Sequence, residues 1–103
     1  MIELPTAAAL QATRGTSYGI RHEAHPDIIL PDLRLLDVEI GGDARHESVA
    51  MIFAGERSRL LPQDTYHLSH PDLGEHALFI VPLGERDGDY QYQCIISRLR
   101  EDG

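Results

Sequence analysis

Apolar and polar residues alternate along much of the chain after about residue 16. The stretch "RLLDVEIGG" places Leu36, Val38 and Ile40 on one face and Asp37 and Glu39 on the other. A repeat of two residues is the pattern of a strand with one buried face, because successive side chains point to opposite sides. We therefore expect Leu36, Val38 and Ile40 to face the core.

Turn-forming residues separate these alternating stretches at hairpin spacing. The segments between them contain prolines, a Gly-Gly-Asp turn, "PDLGE" and "GERDGD". No pattern of strand, long helix and strand is present, so antiparallel pairing is favoured. The sequence predicts one small all-β domain over 1–103, a six-stranded antiparallel barrel or closed sandwich. The strands are expected at about 16–22, 33–41, 47–55, 65–70, 76–83 and 89–97.

One short helix is predicted before the first strand, over about 6–14. Thr6 can cap its start, three alanines favour it, and Gly15 can end it. A helix this short needs packing to persist. Leu4 and Leu10 are its expected anchors.

The strands at 47–55 and 76–83 are apolar on both faces. Such strands need cover on two sides. The second side is covered either by the helix and a long loop or by another chain. The sequence thus predicts a protein partner or a homo-oligomer formed through these strands.

Charge narrows the range of partners. The formal net charge is −8, and all nine basic residues are scattered arginines. An acidic chain without a basic stripe is not expected to bind nucleic acid or an anionic membrane. No apolar run has the length of a membrane helix, and no signal peptide is recognised. We expect a cytoplasmic protein or a part of a larger assembly.

Two of the histidine pairs do not fit a metal site. His22 and His25 are three residues apart, and Pro26 ends any helix there. A zinc-protease motif needs a spacing of four on a helix. His67 and His70 lie in one strand at an odd offset, so they point to opposite faces.

His70 and His76 flank a turn and can approach each other across a hairpin. With Glu75 they form the one metal-site candidate, which would make the protein a metal-dependent enzyme. The alternative interpretation is that both histidines cover the turn. We favour the second and predict no metal ligand and no cofactor.

No catalytic residue is identified in the sequence. There is no serine elbow and no phosphate-binding loop. The single cysteine, Cys94, is expected to be a buried apolar residue. The tyrosines at 66, 90 and 92 and Phe79 form either the core or the lining of a ligand pocket. A small-ligand-binding barrel is therefore kept as an alternative.

The segment "LPQDTYHLSHPDLGEHALFIVPLG" resembles the signature of a family of small bacterial domains of unknown function. The residues that carry the resemblance are Leu61, Pro62, Thr65, Tyr66, His70, Pro71, Gly74, Phe79 and Pro82. The chain departs from the pattern at Asp64, where the family tends to have glycine. If that position needs a positive φ, aspartate tolerates it better than most residues.

The resemblance implies a small all-β domain with no established activity and no catalytic residue. It also implies an association with neighbouring phage-tail-like or tail-collar proteins. The sequence as a whole therefore predicts a non-enzymatic protein-interaction or assembly domain.

Overall fold

The computed structural model describes residues 4–99, so both ends of the expected 1–103 domain lie outside the described range. The strands form a closed barrel in the order β1-β2-β3-β6-β5-β4, and every neighbouring pair is antiparallel. The predicted all-β fold, with six strands and one short N-terminal helix, is confirmed. The elements are α1 (Ala7–Ala12), β1 (Ser17–His22), β2 (Leu33–Gly42), β3 (His46–Gly55), β4 (Asp64–His70), β5 (Gly74–Arg86) and β6 (Asp89–Leu99).

The helix α1 is held by one face. Thr6 caps it by accepting a hydrogen bond from the Ala9 amide at 3.1 Å. Ala7, Leu10 and Thr13 follow each other at a spacing of three and are all buried. Leu4 shares this spacing but precedes the first helical turn and is 37% exposed, so its predicted role as an anchor is wrong. No helix among residues 4–99 is long and apolar enough to cross a membrane.

The barrel interior is filled by alternate residues of the strands. On β3, Val49, Met51 and Phe53 are fully buried, and on β6 Cys94 is 1% exposed. These side chains meet because the two strands pair residue by residue, with Met51 opposite Cys94. The largest side chains of this core are those of Tyr66, Tyr92, Phe53, Leu33, Leu35, Met51, Leu68 and Ile80.

A β-bulge changes the phase of β2. The register with β3 shifts between Leu35 and Asp37, so Leu36 is an extra residue. Leu35 and Val38 face the core, whereas Leu36 is only partly buried and Ile40 is 45% exposed. The expected inward face was therefore right for Val38 and wrong for Leu36. Ile40 lies opposite the buried Val49 and so shares the inward face, but it is not covered there. A strict alternation of two residues cannot reveal the bulge.

Two strands are shared between two parts of the sheet. Residues 74–80 of β5 pair with β4, and residues 81–86 pair with β6. In β1, Ser17 and Tyr18 pair with β2, and residues 19–22 pair with β4. Strands that change partner in this way form the corners that close a small barrel. β5 is longer than the expected 76–83 because the turn at Asp87 and Gly88, both with positive φ, continues its pairing with β6.

Candidate functional site

His70 is a buried connector at one end of the barrel. Its Nδ1 accepts a hydrogen bond from the Asp72 amide at 3.1 Å. Because a backbone amide can only donate, the ring proton lies on Nε2 and is donated to the Thr16 hydroxyl at 3.0 Å. The ring also packs at 4.9 Å from that of Tyr18. Both ring nitrogens of His70 are thus used within the fold.

The two "HPD" tripeptides form the same kind of turn. The Leu73 amide donates to the His70 carbonyl at 3.1 Å, and the Ile28 amide donates to the His25 carbonyl at 3.2 Å. In each turn proline occupies the second position, where its fixed φ is favourable. The repeated tripeptide is therefore explained by turn geometry.

Two tyrosine hydroxyls hold the loop before β4. The Tyr66 hydroxyl donates to the Pro62 carbonyl at 2.6 Å. The Tyr92 hydroxyl accepts from the Leu61 amide at 2.9 Å, and Leu61 is 2% exposed. Burial raises the pKa of both phenols, and the hydrogen bond to Leu61 offsets part of this rise at Tyr92. The signature residues Leu61, Pro62 and Tyr66 thus fix a loop against the barrel.

Asp64 is part of a histidine–carboxylate pair. It is the first residue of β4 and does not have a positive φ, so the left-handed backbone considered for it is not adopted. Its carboxylate accepts hydrogen bonds from the Thr65 amide and from His22 Nε2, both at 2.8 Å. These bonds, the Thr65 amide first, lower the pKa of the Asp64 carboxyl. The Nδ1 of His22 accepts from the Ala24 amide at 3.1 Å.

The structure does not bring His70, Glu75 and His76 together. Within residues 4–99, no group of three His, Cys, Asp or Glu side chains is arranged to hold a metal ion. His76 Nε2 donates to the Leu73 carbonyl at 2.7 Å, and Glu75 accepts from Arg21 at 2.7 Å. Glu75 and His76 are neighbours in β5, so their side chains point to opposite faces.

The aromatic residues considered as a pocket lining are also separated. Tyr66 and Tyr92 are at most 1% exposed and their hydroxyls are bonded to the loop, whereas Phe79 is on the outer surface and 50% exposed. A shallow open groove of about 500 Å³ lies instead on the outside of β1 and β4. Its lining includes Ser17, Gly19, Ser69 and Glu75, together with the buried His70, whose two ring nitrogens are already bonded within the fold.

The outer surface of β3 and β6 has no charged side chain between residues 48 and 54 or between residues 91 and 97. Because Val49, Met51 and Phe53 point inward, the residues between them point outward, and the same holds for the residues between Tyr92 and Ile96. The cross-strand pairs on this surface are Ala50 with Ile95 and Ile52 with Gln93. We call this surface the uncharged face; it comprises Ser48, Ala50, Ile52 and Ala54 of β3, Gln91, Gln93, Ile95 and Ser97 of β6, and Val81 of β5, opposite Gln93.

The uncharged face includes one exposed apolar side chain and borders others. Ile95 is 56% exposed, and beside the face on β5 Phe79 and Leu83 are each 50% exposed. The neighbouring strand β2 is different, since Asp37 and Glu39 lie opposite Ile52 and Ala50. An uncharged surface with apolar side chains and a charged border is typical of a protein contact.

Sequence reasoning pointed to the strands at 47–55 and 76–83 but missed β6. The prediction for this strand rested on its core-facing positions, from Tyr90 to Ile96, and did not use the positions between them. Those positions, Gln91, Gln93, Ile95 and Ser97, carry no charge although a quarter of the chain is charged. The absence of charge at these four positions was the sequence signal that could have identified this surface.

Comparison with known protein families gives a match over most of the chain. A family model described as a domain of unknown function, DUF6916, matches residues 5–96. No curated protein and no solved structure is significantly similar to the chain. The match includes the segment from Leu61 to Pro82 on which the resemblance rested. Since it covers most of the chain, the protein belongs to the DUF6916 family of domains of unknown function.

Proposed function

We propose that the protein is a non-enzymatic assembly domain that associates with a second copy of itself through the uncharged face. The observation that carries this proposal is the distribution of charge. The chain has 26 charged residues, 9 basic and 17 acidic, and none of them points outward from β3 or β6 between residues 48 and 54 or 91 and 97.

The chemistry of the uncharged face favours a second copy. Two chains of net charge −8 repel each other, and they approach most easily through surfaces without charge. The amides of Gln91 and Gln93 and the hydroxyls of Ser48 and Ser97 each donate and accept hydrogen bonds. Such groups can pair with their own copies across a twofold axis.

The size of the face sets the expected affinity. Seven residues at about 3.3 Å on each of two strands about 4.8 Å apart span on the order of 200 Å² in projection. This is small compared with stable interfaces, which bury about 800 Å² on each partner. We therefore expect a dissociation constant of micromolar order, which corresponds to a binding free energy of about −8 kcal/mol.

The hydrogen bonds of the histidine and tyrosine side chains support a non-enzymatic role. His70, His22 and His76 each donate a hydrogen bond within the fold, and the Tyr66 and Tyr92 hydroxyls hold a loop. Neither a small-ligand barrel nor a histidine-based metal enzyme is favoured by a particular contact. An accessory role beside a phage-tail-like or tail-collar protein rests on the family resemblance, and self-association would suit such an assembly.

Sedimentation velocity of the purified chain tests the proposal. We expect a concentration-dependent dimer whose dissociation constant rises at least about tenfold in Ile95→Arg. The matched control is Ile29→Arg, because Ile29 is 92% exposed and lies in the loop between β1 and β2. A wild-type chain that remains monomeric at several hundred micromolar, or equal effects of the two variants, would overturn the proposal.

A further inference from the structure

β5 and β6 separate at one end of the barrel. Their pairing ends at Val81 opposite Gln93. Beyond that point residues 74–80 of β5 pair with β4, and residues 94–99 of β6 pair with β3. No hydrogen bond between described residues joins these two stretches. We call the opening between residues 74–80 and 94–99 the seam.

Inward-pointing side chains become accessible along the seam. Ile80, just before the seam closes, is fully buried. His76 and Leu78 share its face of β5 but are only partly buried. On the outer surface beside the seam, Phe79 is 50% exposed and Leu99 is 73% exposed. The seam is thus an opening with partly apolar walls.

Within residues 4–99, the seam also presents backbone groups without a partner strand. In an antiparallel strand, alternate residues direct both their amide and their carbonyl to the same side. About three of the six residues in 94–99 therefore direct these groups to the seam, and about as many do so from the β5 side. An unpaired row of this kind is a template for an added strand.

We propose that the seam binds an extended segment of a partner protein, about six residues long, which adds as a strand between β5 and β6. A single inserted strand has two free edges, one for each wall. A second copy's β6 already pairs with β3 on one edge and could bond to only one wall. The segment has apolar residues at alternating positions, to contact Leu78, and it is neutral or basic because the chain is acidic.

This inference concerns a strand edge and does not depend on self-association through the uncharged face. The test uses random decapeptides displayed on phage and selected on the full chain, and then the enriched peptide made synthetically. We expect alternating apolar residues, few acids and micromolar binding by calorimetry. Methylating the amide nitrogens of alternate peptide residues is expected to weaken binding at least about tenfold, since each lost amide removes a backbone hydrogen bond.

Amide hydrogen exchange locates the bound peptide. We expect slower exchange in residues 94–99 and 74–80 on binding, and the same slowing in Ile52→Arg, which alters the uncharged face but not the seam. Peptide binding that survives in Ile52→Arg while self-association is lost separates the two proposals. Failure to enrich any peptide, binding that tolerates amide methylation, or slowing confined to other strands would overturn the inference.

Discussion

The His70 imidazole donates a hydrogen bond to the Thr16 hydroxyl, 54 positions earlier in the chain, at 3.0 Å. The Thr16 hydroxyl in turn donates to the Thr13 carbonyl at 2.5 Å. Thr13 follows the helix, and His70 begins the turn between β4 and β5. The pair therefore joins the segment after the helix to the end of β4, the strand that neighbours β1, and the signature histidine is a structural residue.

Replacing His70 is expected to destabilise the protein. In His70→Ala the Asp72 amide loses its acceptor, the Thr16 hydroxyl loses its donor, and a buried ring is removed. We expect the free energy of unfolding to fall by about 2–4 kcal/mol, measured by urea denaturation.

Two further variants make this measurement specific. His70→Asn can still accept from the amide two residues on, as asparagine does in turns, and is expected to lose less than His70→Ala. His25→Ala changes an exposed histidine of the other "HPD" turn and is expected to stay within about 0.5 kcal/mol of wild type. Equal stability of His70→Ala and His25→Ala would rule out the structural role.

The two loop-holding tyrosines are expected to differ in their contributions to stability. Tyr92→Phe leaves the amide of buried Leu61 without an acceptor, at a cost of about 1–3 kcal/mol. Tyr66→Phe removes a donor from the carbonyl of exposed Pro62, which water can replace, so about 1 kcal/mol is expected. Thermal denaturation at neutral pH compares the two, and a larger loss in Tyr66→Phe would contradict this account.

Cys94 is expected to lower the free energy of unfolding at alkaline pH. Burial raises the pKa of its thiol from an ordinary value of 9.0 to about 12. Between these values the unfolded chain releases the proton while the folded chain keeps it. Stability is therefore unaffected by this group below about pH 9 and falls above it, by up to about 1.4 kcal/mol per pH unit until about pH 12.

The Cys94→Ala variant isolates this effect. Burial also raises the pKa of Tyr18, Tyr66 and Tyr92, so the variant should keep the loss of stability that begins above about pH 10. Its stability from pH 9 to 10, measured by urea denaturation, should be flatter than that of wild type. The native thiol should also react slowly with a thiol reagent at pH 8. Parallel pH profiles or rapid modification would contradict the buried thiol.

Most of the fold could be predicted from local patterns. Strand positions follow from alternation and from turn residues such as Gly74 and Gly88, which both have positive φ. The bulge at Leu36 could not, because it depends on how β2 registers against β3. The sharing of β5 between two neighbours was also hidden, since it is a consequence of barrel closure.

The site was less predictable than the fold because it depends on which strands are neighbours. The sequence indicated an interface on 47–55 or 76–83, but only the pairing of β3 with β6 joins Ala50 to Ile95 and Ile52 to Gln93. The histidines were considered as metal ligands, yet two of their contacts are to residues far away in sequence, His22 to Asp64 and His70 to Thr16. Residue type alone could not separate these structural roles from catalysis.

The most direct test of self-association through the uncharged face is cross-linking from its centre. Gln93 lies between Ile52 and Val81, so Gln93→Cys in a Cys94→Ser background places a single thiol there. With a short bis-maleimide reagent at a concentration where wild type is dimeric, we predict covalent dimers in high yield. The matched control, Ile29→Cys in the same background, should give few. Equal yields from the two positions would contradict the proposed contact.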